Sequence, residues 1–150
     1  MLILSAHPET RNPFWRSAKL AGLVYVGLCL GGISHGAEPF LRIPEQDRAI
    51  LHAVAQEYRL TSAQRRLLFA IRLAENGPAG VEMGVLVPRA QRFAGNHAKS
   101  LHCQARWAAG TIRKRFTGDL QAFAVRWCPE NAHPLNRHWL RNVRALMGGR

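Results

Sequence analysis

The sequence predicts an all-α domain from about residue 45 onward, and three observations carry that prediction. Apolar residues recur at helical spacing in successive segments. Capping residues and Gly or Pro stops separate those segments. A Gly- and Pro-rich stretch near 20 residues long, 77–95, interrupts the series. Stretches of that length inside a small domain usually carry function.

The chain has 150 residues, which suits one domain with a real core. Its formal charge is +12, supplied mostly by arginine and scattered along the chain. Only Arg113-Lys114-Arg115 forms a run. Such a chain seeks anionic partners: nucleic acid, acidic lipid or an anionic cell envelope. The scatter fits a generally basic surface better than a nucleic-acid tail. No internal repeat, coiled-coil heptad, phosphate-binding glycine loop or nucleophile elbow is present. The seven histidines are dispersed, and neither His97/His102 nor His133/His138 has zinc-helix spacing. No metal or cofactor is expected, and each His is read as solvated or locally hydrogen-bonded.

Arg11, Arg16 and Lys19 precede an apolar run from Leu20 to Ile33, followed by small residues from Ser34 to Ala37. That order is the order of a secretory signal. The run has 14 residues, short of the roughly 20 that span a membrane. The expected organisation is therefore a signal peptide or releasable membrane anchor over 1–37 and one helical domain over 38–150. A buried helix is the rival reading. Residues 1–37 hold three of the 21 basic residues and one of the nine acidic ones, so the remainder stays at +10. The basic character belongs to the domain. Export implies a periplasmic or extracellular location, with residues 20–33 as the attachment if the segment is kept.

Cys29 lies in the apolar run, which leaves Cys103 and Cys128 as an even pair in an oxidising setting. A disulfide between them and two small buried thiols are both compatible with the spacing.

The elements follow in order. Pro44 suits a first helical position, and Ile50, Leu51, Val54, Ala55 and Tyr58 mark one face of a helix from Glu45 to Tyr58. Thr61 and Gln64 have capping-box spacing, which starts a second helix running from Ser62 to about Asn76. Residues 77–95 read as non-helical, with 81–87 able to form a short strand or hairpin. Asn96 caps a long third helix to Phe116. Its Leu101, Ala105, Ala108, Ala109 and Ile112 predict close approach by the second helix. Gly118 ends it, and Asp119 caps a helix bearing Leu120, Phe123, Ala124 and Trp127, stopped by Pro129. Asn136 caps the last helix, with Trp139, Leu140, Val143, Leu146 and Met147 inward.

Glu75 is the residue that stands out. It lies on the last turn of an apolar helix, with Gly77 after it where a left-handed helix end favours glycine. The partial negative charge of a helix C-terminus disfavours a carboxylate, and apolar neighbours push it toward its protonated form. A neutral carboxylic acid near neutral pH can donate a proton. Arg72, three residues back, can instead pair with it.

The segments AIRLAENG and GVEMGVL resemble the lysozyme-like superfamily, especially lytic transglycosylases and goose-type lysozymes. In those families a helix ends in Glu-Ser-Gly and a Gly-Leu-Met-Gln-type segment follows. Here Glu75-Asn76-Gly77 and Met83-Gly84-Val85-Leu86 match, with Asn76 in place of serine and no glutamine closing the second segment. The tail RWCPENAHPLNRHWLRNV adds Trp127, Pro129, Asn131, Trp139 and Val143 to the resemblance, which spans about residues 45–147. It implies a lysozyme-like fold and cleavage of the β-1,4 MurNAc-GlcNAc bond of peptidoglycan, by hydrolysis or by lytic transglycosylation. Glu75 would be the main catalytic acid and Glu82 the nearest second carboxylate, its rival role being a solvated loop residue. Met83, Gly84, Val85 and Leu86 would line the substrate cleft, with Trp127 stacking on a sugar or lying in the core. Peptidoglycan would be the partner of a monomeric enzyme, and some phage lysozymes use releasable anchors like residues 20–33. A non-catalytic wall-binding or phage structural protein on the same fold stays open. So does a small basic nucleic-acid binder, although no specific nucleic-acid site is legible.

Overall fold

A computed structural model describes residues 39–85, 87–129 and 136–148. The expected export segment, including residues 20–33, lies outside them, as do Leu86, Asn131 and His133. Among the described residues the protein is all-α, without strands. A short 3-10 turn, Pro39–Arg42, leads into six helices: α1 (Glu45–Glu57), α2 (Ser62–Glu75), α3 (Pro88–Gln91), α4 (His97–Arg115), α5 (Leu120–Trp127) and α6 (Asn136–Leu146). No helix among the described residues is long and apolar enough to cross a membrane.

Local rules set the helix starts. Thr61 Oγ1 accepts from the Gln64 amide, and Gln64 Oε1 accepts from the Thr61 amide, completing the capping box of α2. Asn96 caps α4 through the Lys99 amide, and Asp119 caps α5 through the Ala122 amide. Pro44 sits one residue before α1 rather than inside it. Asn136 begins α6, and its side-chain amide donates to the Pro129 carbonyl at 2.6 Å.

The helix α2 is the core. Leu67, Leu68, Phe69, Ala70 and Ile71 are five consecutive buried residues, so this segment is enclosed on every side. Leu51, Val54 and Ala55 of α1, Leu101, Ala105, Ala108, Ala109 and Ile112 of α4, and Trp139 and Val143 of α6 complete the enclosure. The expected approach of α2 to α4 is present, and α1 packs on α4 more extensively still. Truncating a buried leucine such as Leu67 typically costs about 2–5 kcal/mol, so this centre dominates stability.

The stretch after α2 departs from expectation. Residues 81–85 form turns instead of a strand, and α3 adds one short helical segment where none was expected. The left-handed helix end is Asn76, with φ 39°, not Gly77. Gly77 serves a different purpose: a Cβ there would collide with the Val81 carbonyl oxygen.

Candidate functional site

The last turn of α2 carries Glu75 to the place where α6, the end of α5 and the 82–85 turn converge. Trp139 of α6 donates its indole Nε1–H to Glu75 Oε1 at 2.7 Å. Gly84 packs directly on the carboxyl: a Cβ at residue 84 would collide with Glu75 Oε2 and Cδ. Its φ of +69° also lies in the left-handed region. One carboxyl oxygen is thus held by an indole, and the other faces an exposed glycine turn. Burial raises the Glu75 carboxyl above its ordinary 4.5, while the Trp139 hydrogen bond and the nearby Trp127 indole draw it partly back. Glu75 itself is half-buried, so its acid group is neither sealed nor fully hydrated.

Three indoles lead away from it. Trp127 stacks on Trp139 at 6.4 Å and on Phe123 at 5.4 Å, and it meets Trp107 of α4 at 5.6 Å. Trp107 is 43% exposed, which makes the row continuous from solvent to the carboxyl. Trp127 is a half-buried member of this row.

Cys128 is a neighbour of Glu75. Burial, and then the negative charge of Glu75, push its thiol up to about 12, so it carries no thiolate reactivity at neutral pH. Cys103 and Cys128 are both free and half-buried, so of the two arrangements that the spacing allows the disulfide is not the one formed.

The 82–85 turn is anchored by side chains that spacing did not reveal. Glu82 is completely buried, so it is not a solvated loop residue. Its Oε2 accepts from Ser100 Oγ and Gln104 Nε2, both at 2.8 Å, while Gln104 Oε1 accepts from the Met83 amide at 2.8 Å. The Gln104 amide therefore grips the turn through both of its ends, and Ser100 Oγ also accepts from the Gly80 amide. Glu82 Oε1 has no hydrogen-bond partner, and His97 Nδ1 lies 3.4 Å from it. The other ring nitrogen of His97 is 2.7 Å from Asp47 Oδ1. Asp47 in turn takes Arg72 Nε and Nη2 on Oδ2. Arg72 thus pairs with Asp47, and the expected rival ion pair with Glu75 is replaced.

These placements sort the expected site residues. Glu75, Gly84 and Trp127 come together. Met83 and Val85 point into the core, with 0% and 8% exposure, so their side chains cannot line an open cleft. Glu82 is committed to α4 and cannot flank a bond in solvent. Leu86 lies outside the described residues. Trp139, Trp107, Asp47, His97 and Gln104 were not read as site residues. One sequence signal did exist, because a buried tryptophan N–H normally finds an acceptor. Among the described residues no group of three or more His, Cys, Asp and Glu side chains could hold a metal ion.

Comparison of the chain with protein-family models, with curated proteins and with solved structures finds no match.

Proposed function

We propose that this protein has a lysozyme-like fold and cleaves the β-1,4 MurNAc-GlcNAc bond of peptidoglycan, with Glu75 as the general acid. The observation that carries the reading is the state of the Glu75 carboxyl: half-buried, raised by desolvation, and held by Trp139 on one oxygen only. A proton on Oε2 then lies against the exposed Gly84, whose missing side chain leaves room for that oxygen.

In this mechanism the Oε2 proton passes to the leaving glycosidic oxygen as the bond to the anomeric carbon breaks. Glu75 becomes a carboxylate, and the Trp139 hydrogen bond strengthens because its acceptor is now charged. Because Glu82 is sealed against α4, the sugar's own acetamido group stabilises the developing positive charge. The Glu75 carboxylate then takes a proton from the attacking hydroxyl. Water gives hydrolysis, and the sugar's own 6-hydroxyl gives a 1,6-anhydro product. The exposed ring of Trp107 offers an apolar face for a neighbouring sugar. Peptidoglycan is anionic, so the basic surface favours encounter.

The test is release of soluble muropeptides from purified peptidoglycan by the wild type and by Glu75→Gln. Release by the wild type and its loss in the variant support the reading, and products lighter by one water identify the anhydro route. Absence of release by the wild type at any pH from mildly acidic to neutral overturns it.

A second reading rests on the same hydrogen bond. If Glu75–Trp139 only ties α2 to α6, the protein is a non-catalytic wall-binding or virion component. Peptidoglycan would then sediment the protein without being degraded, and Glu75→Gln would leave that binding unchanged.

A further inference from the structure

Four helix ends meet at the pole opposite Glu75. Gln64, in the first turn of α2, donates to the carbonyl of Phe116, which follows the last turn of α4. Gly148, just past α6, lies beside Arg66 of α2. Arg144 in the last turn of α6 reaches Gln121 in the first turn of α5 at 3.5 Å. This convergence gathers cations that are far apart in the chain: Arg65 and Arg66, Arg113, Lys114 and Arg115, and Arg144. All six are exposed.

Almost nothing negative opposes them. Asp119 is the acid among the described residues of these terminal turns, and its side chain caps α5. Asp47 and Glu82 are buried elsewhere, and Glu57 pairs with Arg106 at 2.8 Å. None of the six cations forms a salt bridge within the described residues. The run at the end of α4 also complements its helix dipole, but that does not account for the arginines at the start of α2, where the dipole disfavours cations.

The chemistry of the pole selects among anions. Arginine forks match phosphate oxygens in paired hydrogen bonds. The exposed large apolar side chains among the described residues are Leu41, Trp107 and Val125, and none lies in these terminal turns. Base stacking and lipid insertion therefore have no platform here. The surface is also made of helix ends, not of a helix side that could enter a major groove. We propose that this pole binds a linear polyol-phosphate polymer of poly(glycerol phosphate) type, through its phosphates alone. The inference does not rest on Glu75 acting as an acid, because the pole is about 14 Å away along α2.

The test is binding of a defined poly(glycerol phosphate) to the full chain, titrated over a range of salt. Six phosphate contacts on a flexible chain give a slope near 4 in log Kd against log salt, about 10²–10³-fold weaker binding between about 50 and 200 mM. The triple variant Arg66→Gln, Arg113→Gln, Arg115→Gln should lower that slope by about 2. The triple variant Arg89→Gln, Arg92→Gln, Lys99→Gln, in and after α3 and on the first turn of α4, with Lys99 about 21–24 Å along α4 from the basic run, should leave it unchanged. Circular dichroism confirms that each variant is folded. Equal losses in the two triple variants would overturn the assignment to this pole. Binding to an oligothymidylate of the same phosphate number that is more than tenfold tighter would assign the pole to nucleic acid and overturn the ligand. No measurable binding of poly(glycerol phosphate) at low salt would overturn both.

Discussion

Trp139 Nε1 donates to Glu75 Oε1 at 2.7 Å, closing 64 residues of chain onto one carboxyl oxygen. The bond joins the end of α2 to α6 and leaves Oε2 toward Gly84. It tempers the rise that burial imposes on the Glu75 carboxyl.

The Glu75→Gln variant separates a chemical role from a structural one. If Glu75 is the acid, muropeptide release should fall by about 10²–10⁴-fold, the usual worth of general acid catalysis. Stability should respond differently. The folded state holds the Glu75 proton more tightly than the unfolded state, so the wild type loses stability as pH rises from 4.5 through the raised folded value. Glutamine has no proton to lose. Urea unfolding across that window should show a falling contribution in the wild type that is absent in the variant.

Trp139→Phe keeps an aromatic ring and removes the donor. Its hydrogen-bond loss should be about 0.5–1.5 kcal/mol at acidic pH, where Glu75 is neutral. It should grow to about 1.5–3 kcal/mol once Glu75 is charged. The same change removes an influence that lowers the Glu75 titration. The limb on which activity falls as pH rises, where the Glu75 acid loses its proton, should therefore move to higher pH.

Gly84→Ala meets two obstacles. Left-handed backbone costs a non-glycine residue about 1–2 kcal/mol, and the new methyl would collide with the Glu75 carboxyl. Thermal unfolding should drop accordingly. The Trp139 indole N–H resonance should shift as Glu75 is displaced.

Glu82→Ala should be costly although it touches no solvent. Ser100 Oγ and Gln104 Nε2 would each lose their acceptor, at about 1–3 kcal/mol per unsatisfied buried group. Hydrogen exchange should rise at the Met83 amide, because Gln104 holds it.

Arg59→Gly should stabilise the protein. Arg59 has φ 51°, while its amide bonds to Gln56 O and the Leu60 amide bonds to Ala55 O. This is a Schellman helix end, whose left-handed position favours glycine. Relief of the strain is worth about 1 kcal/mol, read as a rise in the urea midpoint.

What the sequence determined by itself was local. The caps at Thr61/Gln64, Asn96 and Asp119 bond side chains to amides three residues on, and such partners are visible in the chain. The apolar stripes of α1, α2, α4, α5 and α6 repeat at the helical period for the same reason. Glu75 at an apolar helix end was legible as an acid disfavoured in its charged form. Tertiary structure decided everything that depends on partners far apart in the chain. It gave Arg72 to Asp47 across 25 residues instead of to Glu75. It buried Glu82 against α4 instead of leaving it in water, and it left Cys103 and Cys128 unjoined. The stretch expected as a strand became turns, held by Gln104 instead of by a neighbouring strand. A lone charge or donor advertises only that it needs a partner. Which partner it takes is set by the helix packing that carries the two together.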